Sequence, residues 1–511
     1  MMAAILASRL LGLVRNAVIS HQFGQKYWAD VYFGAFQIPD LLYFLIAGGA
    51  LSSAFIPVFT EYLTKGREKE AWHLFSTVAC VMFVVVSGFV LLGEIFAAPL
   101  MHLVNPGFSP EKAADTVPLT RIVLPAQICF FLGGLLMGAQ NARNQFLMPA
   151  LGPIIYNLGI ICGGLLLASW LGVAGLCWGA LCGAIVGNFA LQLWAVRRMG
   201  MVFRVSFDWK HPDVMKVWKL MLPVVLGVAL PQVSIWINRA FASRLGDGPM
   251  AALSNANQFM QVPLGIFAQA MAVAIFPTLS AQAAQQQFAE MRATASQGIR
   301  TLLFLTIPSS VFMIVLATPI VQLLLEGGKY GPEDTALAAS ALAYYCLGIF
   351  AWAGQSILSR SFYALQDSRT PVVIGTGVTF LFIPMNWLFM ETLHLGIRGL
   401  ALATTVAASL HMFVMLGVLR RRLGGIEGKK MATSIGKTVV AAGAAGIACW
   451  MSQQSVSGML DSHAMPVKLH ALAVLTVSCP AGMGVYLLCA ILLRTEEVRQ
   501  VAGLLRRRRR G

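Results

Sequence analysis

The sequence predicts an all-α integral membrane protein of about fourteen transmembrane helices, arranged as two pseudo-symmetric six-helix lobes followed by two further helices. Three observations carry that prediction. The 511-residue chain is 58% hydrophobic and only 11% charged, against roughly 25% charged residues in soluble domains. Apolar runs of ~20 residues, the length that crosses a bilayer, recur from end to end. Landmark motifs also occur twice, in the same order and at a nearly constant offset along the chain.

The candidate spans run at about 3–22, 29–60, 73–104, 118–142, 149–170, 173–196, 214–244, 250–281, 298–325, 335–365, 371–392, 396–419, 433–453 and 467–493. The second is long for a bilayer, and Pro39 and Pro57 mark kinks in it. The first segment is expected to serve as its own insertion signal. Its start is weakly basic, no small-residue cleavage site follows, and arginines sit in its middle. The nine cysteines are scattered through apolar segments without a CxxC pair, and are read as buried packing residues.

The net charge of +16 does not mark a nucleic-acid binder, because of where the cations fall. With a cytoplasmic N-terminus, the inside loops and the tail RRRRRG (506–511) hold 26 of the Lys and Arg residues. The outside loops hold six: Lys26, Lys112, Arg244, Lys329, Arg398 and Lys468. That is the positive-inside bias, and it puts both termini in the cytoplasm.

The repeat reads FQIP (36–39) against MQVP (260–263), FIP (55–57) against IFP (275–277), Pro149 against Pro371, and LGVAGL (171–176) against LGIRGL (395–400). Residues 1–200 and 201–425 are therefore predicted to be homologous lobes, with 426–511 holding two extra helices and a basic tail. Six spans per lobe is an even number, so the lobes share an orientation and form a parallel repeat. Gly175, Gly179, Gly183 and Gly187 line one face of the sixth helix and predict close helix approach.

Five cations fall within spans or at their edges: Arg9, Arg15, Arg121, Arg239 and Arg360. A charge there costs ~2.5–3.5 kcal/mol on insertion scales and normally faces a bundle interior or a wet cavity. Arg9 and Arg15 are six residues apart, ~9 Å along a helix and ~120° around it, so they suit a broad cavity rather than a narrow face. Arg239 stands to Arg15 as MQVP stands to FQIP, and so occupies its repeat position. Guanidinium forks suit phosphate oxygens, so these arginines predict a cationic cavity for an anionic, phosphorylated substrate. Acids inside spans are few. Asp40 is placed to pair with Arg9 or Arg15, Glu94 lies in the third span, and Asp30 lies at the start of the second. An exporter of cations needs buried carboxylates, and this bias runs the other way. No GxxxxGK, HExxH or GxSxG motif occurs. The chain is read as a transporter, not an enzyme, with no catalytic residues, no metal and no cofactor.

SRLLGLVRNAVISHQFG (8–24), ADVYFGAFQIPDLL (29–42) and GGALSSAFIPVFTEY (48–62) resemble the start of the MurJ/MviN family, and ALQDSRTPVVIG (364–375) continues the likeness. These are lipid II flippases of the multidrug/oligosaccharidyl-lipid/polysaccharide exporter superfamily. The resemblance implies a fourteen-span fold in the bacterial inner membrane. It implies transfer of the undecaprenyl-pyrophosphate-linked peptidoglycan precursor to the outer leaflet, by alternating access of two lobes around a cationic cavity. It also implies that the last two helices form a groove for the lipid tail. Arg9, Arg15 and Ser8 match functional residues of the family's first helix, and Asp30 matches a functional aspartate of its second. The chain departs from the family where it has Tyr43 and Gln258 for arginines, Gly48 for a glutamate, and Asp40 for a frequent asparagine. Arg239 is read as making up for the lost cations. Span 371–392 offers only Asn386 and Glu391 toward a sodium site.

The predicted substrate site is thus Arg9, Arg15, Arg239 and Ser8, with Asp30 and Asp40 as gating or ion-pair residues, and Arg360, Gln258 and Tyr43 as secondary candidates. Lipid II and membrane lipids are the implied partners, cell-wall synthesis enzymes are further candidates, and the chain is expected to act as a monomer. A flippase for another polyprenyl-pyrophosphate saccharide, a drug/cation antiporter and a non-transporting scaffold are the competing readings.

Overall fold

The computed structural model describes residues 2–44, 50–460 and 465–498. Gly48 and the basic tail at 506–511 lie outside them. Among the described residues the regular secondary structure is helical, and the one extended pairing is a bridge between Gly327 and Tyr330. The chain divides into two compact units, Met1–Ala251 with Gly327–Tyr330, and Ala252–Glu326 with Gly331–Gly511.

The first unit contains α1 (Met2–Phe23), α2 (Tyr27–Ala35), α3 (Gln37–Leu42), α4 (Ala50–Thr64), α5 (Glu68–Ile95), α6 (Ala97–Val104), α7 (Pro110–Val123), α8 (Ala126–Ala142), α9 (Leu147–Cys162), α10 (Ala168–Leu171), α11 (Val173–Gly183), α12 (Leu191–Arg198) and α13 (Pro212–Ala242). α14 (Pro249–Pro263) begins in it. The second unit continues with α15 (Gln269–Ala284), α16 (Phe288–Val315), α17 (Ala317–Leu325), α18 (Pro332–Cys346), α19 (Ile349–Ala364), α20 (Arg369–Trp387), α21 (Gly396–Arg422), α22 (Gly428–Leu460) and α23 (Val467–Leu492). Among the described residues ten helical runs are long and apolar enough to cross a membrane, or eleven when α18 and α19, bent by 42°, count as one.

Several predicted spans are two helices in sequence. The run 29–60 breaks at Phe36, between α2 and α3. Pro39 explains the position: it has no N–H to give to Ala35, and its ring crowds that carbonyl. The runs 73–104, 118–142 and 335–365 break likewise, at Phe96, at Leu124–Pro125 and at Leu347–Gly348.

Backbone geometry recurs along the chain at the spacing of the sequence motifs. Residues with positive φ fall in pairs at that offset: Gly24 and Gly248, Gly66 and Gln286, Asn144 and Gln366, Gly172 and Gly396, Gly200 and Gly424. α5 and α16 are both 28 residues long, and their starts are related in the same way. π-helical turns at Gly163–Leu167 and Leu388–Thr392 each precede one of the paired glycine turns.

In a bilayer, apolar side chains gain little by leaving lipid, so helices associate through close packing. α9 and α11 do this with glycines. A Cβ on Gly179 would stand 2.3 Å from the Gly159 carbonyl oxygen, and one on Gly163 would stand 2.4 Å from that of Gly175. α1 packs on the same α9, and α13 packs on α4 and α5. In the second unit α22 and α23 pack on each other and on α16, around Phe304, Phe312, Ala441, Ala445, Cys449 and Tyr486. Tyr486 donates its hydroxyl to the Phe304 carbonyl at 2.6 Å, which satisfies a polar group that lipid cannot. Outward faces carry large apolar side chains such as Trp170, 88% exposed. All nine cysteines are free. Cys80, Cys177, Cys346 and Cys449 are buried, but Cys162 and Cys182 are exposed on their helices, so not every cysteine is a packing residue.

Gly179→Val is expected to lower stability by at least ~2 kcal/mol through overpacking of α9 against α11. Gly443→Val, where an added Cβ meets open space, is expected to leave helix packing intact. Thermal unfolding of the two variants in detergent makes the comparison.

Candidate functional site

The first unit contains a cavity of about 610 Å³. α3 and the residues after it supply Asp40, Tyr43 and Phe44 to its wall; α8 supplies Gln127 and Phe130; α9 supplies Tyr156; α13 supplies Trp236 and Arg239. Asn188 comes from the π-helical turn Ala184–Ala190 that follows α11. Three aromatic rings form a chain along the wall, Tyr43 to Phe130 at 5.4 Å and Phe130 to Tyr156 at 5.0 Å, both edge-on. Gln127 Oε1 and Asn188 Nδ2 are buried on this wall without a hydrogen-bond partner among the described residues.

Arg239 and Asp40 form an ion pair on the wall, Nη1 to Oδ2 at 3.4 Å. Asp40 therefore pairs with Arg239 and not with Arg9 or Arg15. The break at Phe36 sets this up: the turn at Pro39 carries the Asp40 side chain toward α13. Arg239 brings a cation to the cavity, but its charge is already matched by a carboxylate.

Arg15 is held differently. Its Nε and Nη2 donate to Asn16 Oδ1 at 3.2 and 3.1 Å, and Nη1 donates to Asn157 Oδ1 at 3.2 Å. Asn157 is fixed in turn by donating Nδ2 to the Pro153 carbonyl at 2.9 Å. Pro153 and Tyr156 line the cavity, so Arg15 stands directly behind its α9 wall. Among the described residues no carboxylate lies within 4 Å of Arg15, although Asp40 is near enough to interact with its charge at longer range, and its hydrogen-bond partners are neutral amides. A guanidinium has five N–H donors. Three are used, which leaves one on each terminal nitrogen for an anion.

Asp30 is fully buried, away from that cavity. It accepts hydrogen bonds from Lys112 Nζ at 3.1 Å, from the Gly248 N–H at 2.7 Å and from the Ala251 N–H at 2.9 Å. Lys112 also reaches Asp247 Oδ1 at 2.7 Å and lies over the Phe108 ring at 4.7 Å. The carboxylate thus ties α2 to the start of α7 and to the first turn of α14, whose free N–H groups and dipole favour an anion. Beside this clasp, Tyr27 donates to Asp115 at 2.7 Å, and burial together with that hydrogen bond pushes its phenol up to about 12. Gly107 completes the join: its N–H donates to Ser243 Oγ at 3.0 Å, and a Cβ there would meet the Arg244 backbone at 2.5 Å.

Ser8 is half-buried and Arg9 exposed on α1, and the structure brings neither into the cavity wall. Gln258 and Arg360 lie in the second unit, both half-buried, with the Arg360 guanidinium 5.5 Å from the Phe276 ring centre. Arg121 donates Nε to the Glu94 carbonyl at 3.2 Å and is half exposed. Sequence reasoning passed over Gln127, Asn157, Asn188, Lys112 and Asp247. An amide in an apolar span is a weak signal, and Lys112 reads as an ordinary loop cation until the fold brings it to Asp30.

A polar and aromatic cavity inside a stack of membrane-length helices, with an arginine held by amides behind its wall, defines a multi-pass membrane transporter. The family model described as "Lipid II flippase MurJ" matches residues 19–468. The lipid II flippase MurJ of Burkholderia cenocepacia is 30% identical over 425 residues, which cover 82% of each chain. The probable lipid II flippase MurJ of Vibrio cholerae is 31% identical over 429 residues, covering 81% of this chain and 80% of that one. A solved structure of lipid II flippase MurJ in an inward closed conformation superposes with a TM-score of 0.79 at 25% identity, over 96% of this chain and 98% of that one. The chain belongs to the MurJ lipid II flippase family. An inward-facing multidrug resistance MATE family transporter of the MOP superfamily shares the fold at 15% identity, with a TM-score of 0.68 over 82% of this chain and 94% of that one. The protein is a transporter, not an enzyme, and a multi-pass protein of the bacterial inner membrane.

Two outcomes follow from these contacts. Asp30→Ala leaves the buried Lys112 ammonium and two N–H groups short of an acceptor, and is expected to cost about 3 kcal/mol of stability, read as a lowered thermal midpoint in detergent. Arg239→Ala leaves the Asp40 carboxylate alone on the cavity wall, where it repels an anionic cargo. It is expected to cut activity about tenfold, with most of that loss recovered in the Asp40→Asn/Arg239→Ala double variant. Growth of a bacterium depleted of its own lipid II flippase reports both.

Proposed function

We propose that this protein moves lipid II from the inner to the outer leaflet of the cytoplasmic membrane by alternating access. One observation carries the reading: Arg15, with no carboxylate in ion-pair contact among the described residues, is fixed by two asparagines behind the wall of a polar and aromatic cavity. A pyrophosphate in the cavity is attracted by the Arg15 charge behind that wall, and the two remaining guanidinium N–H groups are donors for its oxygens when the wall opens in the cycle. Gln127 and Asn188 suit the hydroxyl and amide groups of a saccharide–peptide head, and the Tyr43–Phe130–Tyr156 chain suits the flat faces of sugar rings. Ser8 and Arg9, on the same helix as Arg15, receive the head group on its way in.

The wider architecture belongs to the same proposal. The paired motifs and the paired turns support two parallel six-helix lobes, 1–200 and 201–425, with 426–511 as an appendix. Reading α1, the broken run from α2 to α4, and α13 as spans brings the eleven apolar runs to fourteen. The excess of cations in alternate loops supports cytoplasmic termini. In that orientation the Asp30–Lys112–Asp247 clasp closes the outer end, and it has to open for the cargo to leave. Cell-wall synthesis enzymes are candidate partners of a monomeric flippase.

Complementation tests the reading directly. In a bacterium depleted of its own lipid II flippase, the wild-type chain is expected to restore lipid II exposure on the outer leaflet, and Arg15→Ala to abolish it at equal expression. Restoration by Arg15→Ala at the wild-type level would overturn the role given to the cationic cavity. Failure of a correctly inserted wild type would overturn the cargo.

A further inference from the structure

A second polar cavity, of about 290 Å³, lies in the second unit and plays no part in the transport reading. It sits where α22 has just begun and α23 has just ended, so it lies at head-group depth and not among the acyl chains. Lys430, Ser434 and Lys437 line it from one face of α22, at i, i+4 and i+7. Arg494 and Thr495 come from the turn after α23, where Arg494 takes a φ of 50°. Arg300 reaches in from α16.

Arg300 is the observation that marks a ligand. It is only 8% exposed. Nη1 donates to Glu496 Oε2 at 3.0 Å and to Glu497 Oε1 at 3.3 Å, but Nε is buried without a partner among the described residues. Glu497 is itself buried and also accepts from Ser434 Oγ at 2.7 Å. The two carboxylates therefore hold Arg300 in position through Nη1, and its buried Nε is left without an acceptor beside the cavity. The charges around it do not balance. Glu427 matches Lys430 at 2.9 Å, and the hydrogen bond from Lys430 holds the Glu427 carboxyl below its usual range. Lys429, Lys437 and Arg494 line the same cavity with no carboxylate within 4 Å among the described residues.

We propose that this cavity binds a phosphate ester, supplied by the head group of an anionic phospholipid. Position selects the source: a site at the end of two membrane-length helices meets lipid head groups at high local concentration. The positive-inside bias puts that end in the cytoplasmic leaflet, whose anionic lipids attract basic clusters. Thr433, Ser434 and Thr495 give their hydroxyl protons to Lys429, Glu497 and Ala490, so toward a ligand their oxygens serve as acceptors for head-group hydroxyls. The exposed Val439 and Val440, deeper on α22, give an acyl chain an apolar surface. A lipid held there joins α16, α22 and α23 from outside, and the site requires no cargo in the transport cavity.

Native mass spectrometry of the full detergent-purified chain separates the sources by adduct mass. The chain is titrated with phosphatidylglycerol, with phosphatidylcholine and with inorganic phosphate. The expected result is a first phosphatidylglycerol adduct at about tenfold lower concentration than phosphatidylcholine, with the preference lost in Lys437→Gln/Arg494→Gln. Neither residue is in an ion pair with a described carboxylate, and the thermal midpoint of the double variant checks that it folds. Arg420→Gln/Arg421→Gln, on the exposed end of α21, is expected to keep the preference. Phosphate adducts without a phosphatidylglycerol preference would keep the phosphate chemistry and overturn the lipid source. Equal affinity for the two lipids without phosphate binding, or equal loss in both double variants, would overturn the proposal.

Discussion

A guanidinium that never loses its proton, placed inside a membrane protein, is the constraint on which the first unit is organised. It has to be compensated by an anion, or surrounded by dipoles that tolerate it, or it is not kept. The chain uses both solutions. Arg239 is compensated by Asp40 across 3.4 Å. Arg15 is held by Asn16 and Asn157, with no described carboxylate in ion-pair contact. Neutral amides fix the geometry of Arg15 without cancelling its charge. In the proposed cycle that arrangement suits a site that receives an anion and later releases it, because a carboxylate in contact would compete with the guest.

Helix breaks do much of the positioning. Pro39 ends α2 at Ala35 and starts a new direction, which carries Asp40 and Tyr43 to the cavity wall. Glycines on α9 and α11 let two backbones approach until an added Cβ would overlap a carbonyl oxygen. That closeness holds the α9 wall, with Tyr156 and the anchor of Arg15, against the rest of the unit. The Asp30 clasp works by the opposite means. It gathers an ammonium and two backbone N–H groups around one buried carboxylate. Such a centre is stable while complete and costly when any member leaves.

The two basic centres of the molecule differ in kind. Arg15 lies in the first unit beside aromatic rings and open amides, which suits a large head group with several polar functions. Arg300 lies in the second unit beside α22 and α23, among lysines and hydroxyls, which suits a small phosphate ester. A chain that handles a lipid-linked anion has reason to keep these sites chemically distinct, since one that binds resident lipid well would be a poor site for cargo.

Much of this protein was legible without coordinates. Low charge content, long apolar runs and cation-rich alternate loops depend on composition and on the bilayer, so they determine the class, the helical content and the candidate inside face. The repeated motifs announced a periodicity that recurs in the backbone turns, from Gly24 and Gly248 to Gly200 and Gly424. The arginines in apolar spans announced a polar interior. Pairing is what only the tertiary structure decided. From the sequence Asp40 was expected to pair with Arg9 or Arg15, and the fold pairs it with Arg239 instead. Lys112 and Asp247 looked like loop charges until the fold brought both, from remote parts of the chain, to the Asp30 clasp. Whether an arginine is neutralised or left open depends on which side chains the fold brings within contact distance, and local sequence does not encode distance between remote segments.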